Sequence, residues 1–134
     1  MIDIENEIYA AVERAVRAVY PEVFMVGEYV LAPASFPCVS LAEVYNSVYR
    51  PSSTNEEIEN HVIVTYEANV YSNKTKGKKS QCKTIMSIID EKLCGIGLTR
   101  NFLQSVPNVL DSTVYRMYAR YQCIVDKNSV IYRR

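Results

Sequence analysis

The stretch HVIVTYEANVYSNKTKGKKSQCKTIMSIIDEKLC, residues 61–94, decides the fold of this chain. Its first twelve residues alternate between apolar and polar side chains, which is the period-two pattern of a half-buried strand. One face comprises Val62, Val64, Tyr66, Ala68 and Val70, and the other is mostly polar, with His61, Thr65, Glu67 and Asn69. A strand of this length would span about 40 Å. The sequence therefore predicts one unusually long strand at the centre of the fold.

A lysine-rich turn and an amphipathic helix follow this strand. The turn NKTKGKK, residues 73–79, contains Gly77 and breaks the alternation. From Ser80 onward the apolar residues recur at three- and four-residue spacing, which predicts a helix that buries one side. That side comprises Cys82, Ile85, Met86, Ile89 and Leu93. Gly95 comes just after this run and suits a helix C-cap.

The residues before the central stretch predict one helix and two strands. An apolar stripe over residues 3–19 is typical of an amphipathic helix. Residues 24–30, FMVGEYV, predict a short strand in which Gly27 marks a bulge. Residues 37–45, PCVSLAEVY, predict a second strand, and Pro37 at its start fits a first-position or edge proline.

Residues 46–60, NSVYRPSSTNEEIEN, have neither helical nor strand periodicity and predict a long loop. Loops of this length are uncommon in compact domains and are often functional. The charged residues of this loop are Arg50, Glu56, Glu57 and Glu59. We interpret it as a candidate contact arm, and the alternative is a solvated connection without a role.

Three strands are predicted after the central helix. They cover residues 98–104, 113–126 and 130–134, and the last two form a hairpin. On the long strand, the predicted core face comprises Tyr115, Met117, Ala119, Tyr121, Cys123 and Val125. The opposite face carries Arg116, Tyr118, Arg120 and Gln122. Because arginine and tyrosine are enriched at protein interfaces, we predict that Arg116, Tyr118 and Arg120, the arginine–tyrosine stripe, form an exposed contact surface.

The order of these elements predicts an α+β fold. Its sheet is mainly antiparallel, and an N-terminal helix and a second helix pack on one face. At 134 residues the chain is predicted to form a single domain. Apolar residues make up 49% and charged residues 22%, a composition that excludes the disordered and membrane classes. Acidic residues near the start, where an export signal would be basic, predict that no such signal is present.

The charge is distributed unevenly along the chain. Residues 1–67 contain eleven acids and three bases, a net charge of −8, and residues 68–134 contain four acids and twelve bases, a net charge of +8. Two interpretations fit this division. Either the two halves neutralise each other within one sheet, or opposite surfaces meet in neighbouring copies of the chain.

The sequence predicts no catalytic residue, no metal site and no cofactor. His61 is the only histidine, and no serine or cysteine is marked as its partner. The lysine-rich turn fails as a phosphate loop, because Ser72 stands where glycine is needed and Lys79 where serine or threonine is needed. The acids of the long loop are interpreted as solvated. The four cysteines, Cys38, Cys82, Cys94 and Cys123, lie at unrelated spacings and are predicted to be reduced and buried.

The only dense basic patch in the sequence lies in the turn after the long strand. It comprises Lys74, Lys76, Lys78 and Lys79. Such a patch would bind phosphates without reading sequence. A net charge of zero argues against a dedicated DNA-binding protein. A contact between subunits and a passive contact with DNA in transit are the remaining interpretations.

About two-thirds of the chain, from Phe36 onward, resembles a family of small structural proteins of long-tailed phages and prophages. These are the tail-terminator or tail-completion proteins, which are encoded among the head–tail joining genes. The resemblance is carried by the segments FPCVSLAEVYN (36–46), IVTYEANVYSN (63–73), KGKKSQCKTIMSIIDEKLCGIGLTRNF (76–102) and PNVLDSTVYRMYARYQCIV (107–125).

The resemblance implies a non-enzymatic virion protein that forms a ring, usually a hexamer, on the end of the tail tube. Its expected partners are other copies of itself, the tail tube protein and the head–tail connector proteins, with no membrane. Its expected location is the tail or neck of the virion, and the host cytoplasm during assembly. The alternatives are another neck, head-completion or minor capsid protein, an intracellular protein-binding domain, or a small enzyme that uses His61.

Overall fold

The computed structural model describes residues 1–49, 61–107 and 111–132, which form two helices and a mostly antiparallel sheet. In chain order the elements are α1 (Glu5–Arg17), β1 (Phe24–Val26), β2 (Cys38–Val48), β3 (His61–Ser72), α2 (Lys78–Ile96), β4 (Thr99–Val106), β5 (Tyr115–Asp126) and β6 (Ile131–Tyr132). The strand order is β1-β2-β3-β5-β4, and β6 also pairs with β5. Among the strand pairs that the described residues form, only β1–β2 is parallel. The predicted α+β fold is confirmed.

The two longest strands, β3 and β5, form the centre of the sheet. They pair without interruption from His61 opposite Asp126 to Ser72 opposite Tyr115. The prediction of a twelve-residue strand that starts at His61 is confirmed, and its five predicted inward residues are all buried. The predicted core face of β5 is confirmed too, with Tyr115 partly buried and the rest buried. Alternation therefore predicted the inner face correctly.

Both helices pack on the same face of the sheet and against each other. From α1, the residues Ile8, Val12 and Val16 enter the core. From α2, the buried residues are the five that the apolar spacing predicted. Neither described helix is long and apolar enough to cross a membrane.

Strand β2 continues through residues that were predicted to be loop. Pairs from Asn46 opposite Val64 to Val48 opposite Val62 give these residues backbone partners on β3, which outweighs their polar composition. The side chain of Asn46 also donates a hydrogen bond to the Ile2 carbonyl oxygen (2.7 Å). The predicted loop over residues 46–60 is thus wrong for its first three residues. Residues 50–60 lie outside the described part of the chain.

The predicted C-cap at Gly95 is wrong, because α2 continues to Ile96. Gly97 is the C-cap, with a φ of 115° that an L side chain rarely adopts. Its N–H donates to the Cys94 carbonyl oxygen (3.2 Å), and the N–H of Leu98 donates to that of Leu93 (3.0 Å). These bonds satisfy the last carbonyl groups of the helix.

Two smaller predictions at strand ends also need correction. β1 ends at Val26, so Gly27 follows the strand and does not form a bulge within it. β2 begins at Cys38, so Pro37 precedes the strand instead of opening it. Proline has no N–H for the ladder, which accounts for its place just outside.

Candidate interaction surface

The face of the sheet opposite the helices, here called the open face, carries the arginine–tyrosine stripe. Residues that pair directly in antiparallel strands point to the same side of a sheet. The pairs on this face include Glu67 with Arg120, Asn69 with Tyr118 and Tyr71 with Arg116. The register therefore places two arginines and two tyrosines next to a carboxylate and an amide.

Arg116 connects the open face to the segment that covers one end of it. Its Nε and Nη2 atoms donate to Asn69 Oδ1 at 3.0 and 2.8 Å. Its guanidinium carbon lies 5.7 Å from the ring centroid of Tyr29 and 5.6 Å from that of Tyr71. The Tyr71 hydroxyl donates to the Val30 carbonyl oxygen (3.0 Å). Arg116 is thus half-buried beneath residues 29–30. The sequence-based prediction that Arg116 is exposed is therefore wrong.

Arg120 and Tyr118 share one acceptor on the open face. Arg120 forms an ion pair with Glu67 Oε2 at 2.8 Å, and the Tyr118 hydroxyl donates to the same oxygen. The ring of Phe102 stacks on Tyr118 with 5.4 Å between centroids, and it lies 5.7 Å from the Arg120 guanidinium carbon. Both stripe residues are half-buried and bonded within the chain. Their role in contact with a partner stays a prediction.

The other end of the open face exposes apolar side chains. Tyr132, which is 47% exposed, shares one row with the half-buried Ile124 and Ile63, and Tyr45 in the next row is 62% exposed. Clusters of exposed apolar side chains often mark interaction sites. Sequence reasoning missed this cluster, because alternation identifies the outward face of a strand but not which part of that face other segments cover.

The predicted basic turn lies at the end of β3 and is anchored to the fold. Its exposed members are Lys74, Lys76 and Lys79. The half-buried Lys78 donates from Nζ to the Thr113 carbonyl oxygen (3.2 Å), and the Ser72 hydroxyl donates to Gln81 Oε1 (2.5 Å). Lys78 and Lys79 are the first residues of α2 and therefore lie at the positive end of its helix dipole. The first turn of α2 contains no acidic residue that would offset them.

The charged residues of the candidate contact arm, Arg50, Glu56, Glu57 and Glu59, all lie outside the described residues. Their role in contact with a neighbouring subunit stays a prediction.

A second acidic group lies on the helix side of the sheet, where α1 begins. Carboxylate oxygens of Asp3, Glu5 and Glu43 lie within 4.8 Å of one another. Glu5 Oε2 accepts a hydrogen bond from the Glu43 backbone N–H (2.9 Å), and the Tyr66 hydroxyl donates to Glu43 Oε1 (3.0 Å). Burial, and next the neighbouring acids, raise the pKa of Glu43. Exposed acidic groups are common on proteins without a bound ion, so we assign no metal to this cluster.

His61 contacts the last described strand. Its Nε2 atom lies 2.7 Å from the Tyr132 hydroxyl, and the two ring centroids are 4.8 Å apart. This contact holds β6 against the first residue of β3. The prediction that His61 has no catalytic role stays a prediction.

Three of the four cysteines occupy the interior, as predicted. Burial raises the pKa of Cys38 to about 11 and the pKa values of Cys82 and Cys123 to about 12. Cys94 is exposed, so its predicted burial is wrong. The neighbouring Leu93 points into the core instead, and Cys94 Sγ lies 3.8 Å from Asp90 Oδ1. None of the four forms a disulfide among the described residues.

No protein-family model matches this sequence, and no curated protein is significantly similar to it. The resemblance to tail-terminator proteins therefore stays a prediction from sequence.

Proposed function

We propose that this protein is a non-enzymatic structural protein of a long-tailed phage or prophage. In this proposal, copies of the chain form a ring, usually a hexamer, that caps the tail tube and presents the joining surface for the head connector. The resemblance over residues 36–125 supplies the tail, the ring and the partners.

The observation that carries the proposal is the exposure of large apolar side chains on the open face and on the neighbouring strand β4. Tyr45 and Tyr132 are exposed on the open face, and Phe102 and Leu103 are each 38% exposed on β4. Burial of such side chains stabilises a contact by about 25 cal/mol per Å² of apolar area. A subunit with this surface gains stability when other subunits or partner proteins cover it.

Charged residues help to orient the partners in such a contact, but they contribute little to its affinity. An exposed ion pair contributes about 0–1 kcal/mol, and salt weakens it. The exposed lysines of the basic turn can therefore guide a neighbour or a partner into place, and apolar burial must provide most of the affinity.

The first test is the mass of the purified protein in solution. We expect size-exclusion chromatography with light scattering to give a mass near six times 15.3 kDa, and we expect rings in negative-stain images. A protein that remains a monomer at high concentration, with and without tail tubes present, contradicts the ring.

The second test addresses the basic turn. The variant Lys74→Glu/Lys76→Glu keeps Lys78, which anchors the turn through Thr113. We expect it to assemble and to join tails only at higher protein concentration than the wild type, most clearly at low salt. The matched control is Arg14→Glu/Lys127→Glu, which reverses two exposed charges elsewhere. Equal assembly and tail joining by both variants would remove the basic turn from the mechanism.

A further inference from the structure

Three strands of the described sheet have no pairing partner on their outer side within the described residues. These are β1 at one edge, and β4 together with the short β6 at the other. On β4 every residue from Thr99 to Ser105 is exposed. The unpaired N–H and C=O groups of an edge strand are ready to pair with another chain, and proteins usually shield them.

The registers place the two edges at the same level of the sheet. One row across the five strands is Phe24, Cys38, Tyr71, Arg116 and Val106, and another row is Val26, Ser40, Asn69, Tyr118 and Gln104. The strand directions follow from the same pairs. β1 is parallel to β2, and three antiparallel pairs separate β2 from β4, so β1 and β4 run in opposite directions.

These two facts define how a second copy would fit. If the β1 edge of one copy lies beside the β4 edge of another, Phe24–Val26 meets Gln104–Val106 as an antiparallel pair. In this pairing Phe24 and Val26 lie on the open face beside Val106 and Gln104. Met25 then lies beside Ser105 on the helix side. The alternation of side chains therefore continues across the joint without a change of face.

The sheet order also separates the two charge classes of the sequence. The acidic half, residues 1–67, supplies α1, β1 and β2, and the basic half, residues 68–134, supplies α2, β4 and β5. At the β1 edge the exposed Glu22 lies just before the strand, where it borders a groove with Gln81 of α2. At the β4 edge, α2 exposes Lys79 and Lys83 one turn apart, and Lys83 borders the groove that Leu103 and Met117 line.

We propose that copies of this chain join head to tail by extending the sheet, with β1 of one copy paired to the Gln104–Val106 part of β4 in the next. Glu22 of the first copy faces Lys79 and Lys83 of the second. The contact joins two different surfaces, which is what a closed ring requires. This inference rests on the proposed ring and names the surfaces that build it.

The test reverses the charge of one edge at a time. The variant Glu22→Lys makes both edges basic, and the variant Lys79→Glu/Lys83→Glu makes both edges acidic. We expect each variant alone to need at least about tenfold more protein for half-assembly than the wild type, because like charges meet at every joint. An equimolar mixture of the two should assemble near the wild-type concentration, because opposite charges then meet at each joint of an alternating ring.

Two further measurements keep the test independent of folding. All variants should melt cooperatively as monomers by circular dichroism, and acids near the start of α2 should favour the helix. In the wild type, assembly should increase the hydrogen-exchange protection of β1 and β4 amides. The control Arg14→Glu/Lys127→Glu should assemble like the wild type.

The outcomes separate the two proposals. The edge pairing is wrong if the wild type assembles and either edge variant alone assembles equally well. It is also wrong if the wild type assembles and the equimolar mixture does not assemble near the wild-type concentration. Neither result contradicts the proposed ring. If the wild type itself does not assemble, the proposed function fails.

Discussion

Arg116 is the residue that joins the open face to the segment above it. It combines a forked hydrogen bond to Asn69 with two tyrosine rings, and lysine can reproduce neither the fork nor the planar stacking. We expect Arg116→Lys to lower the free energy of unfolding by about 1–2 kcal/mol in urea denaturation. The exposed Arg14→Lys should change it by less than about 0.5 kcal/mol. Equal effects of the two changes would show that these contacts do not stabilise the fold.

Glu43 makes the stability depend on pH in an unusual direction for a carboxyl group. Its ordinary pKa is near 4.5, and burial raises the folded pKa above that value. The folded state then holds the proton more tightly, so the free energy of unfolding falls as the pH rises through the interval between the two values. Glu43→Gln removes this titration. We therefore expect its free energy of unfolding, measured by urea denaturation, to fall less over that pH interval than the free energy of unfolding of the wild type.

The hydrogen bond from Tyr66 gives a second check on Glu43. This bond lowers the pKa of Glu43 and so opposes the effect of burial. We therefore expect Tyr66→Phe to extend the fall in stability to higher pH, in addition to any general loss of stability. The raised pKa would be contradicted if the wild-type free energy of unfolding rose over the same pH interval and Glu43→Gln showed the same pH dependence.

At the scale of elements, the end of α2 offers a matched pair of glycines. Gly97 has a φ of 115°, so Gly97→Ala is strained, and we expect it to lower stability by about 1 kcal/mol or more. Gly95 lies inside the helix with open space where a Cβ would stand, so Gly95→Ala should raise stability by about 0.5–1 kcal/mol. Thermal unfolding of the two variants measures both. A stabilising Gly97→Ala would contradict the left-handed C-cap at Gly97.

The elements that could be predicted from sequence are those whose own side chains carry the pattern. β3, α2 and β5 have long apolar periods, and their buried faces follow from them. The last residues of β2 could not be predicted, because Asn46 and Ser47 gain their backbone partners from β3 and not from their own polarity. Similarly, periodicity identified the arginine–tyrosine stripe as outward-facing, but the cover formed by residues 29–30 depends on contacts between distant parts of the chain.

At the scale of the whole molecule, the labelling of the cysteines measures how often the protein unfolds. Only Cys94 is exposed, and partial desolvation together with the neighbouring Asp90 carboxylate raises its pKa, so we expect slow labelling of one thiol in the native protein. Cys38, Cys82 and Cys123 are buried and should be labelled only after unfolding. Alkylation without reductant, followed by mass spectrometry, should find one modified thiol in buffer and four in denaturant. Two stable disulfides would contradict the prediction that all four are reduced.

The pairing of β3 with β5 has a consequence for how the chain folds during synthesis. β3 can pair with β2 as soon as both have been made, since only residues 49–60 separate them. Its other side must wait until α2 and β4 have been made, because β5 begins at Tyr115. Contacts between such distant residues slow folding. A nascent chain that stalls before residue 115 therefore presents one side of its longest apolar strand to the ribosome surface, to chaperones and to other nascent chains, and the centre of the sheet closes only when β5 arrives.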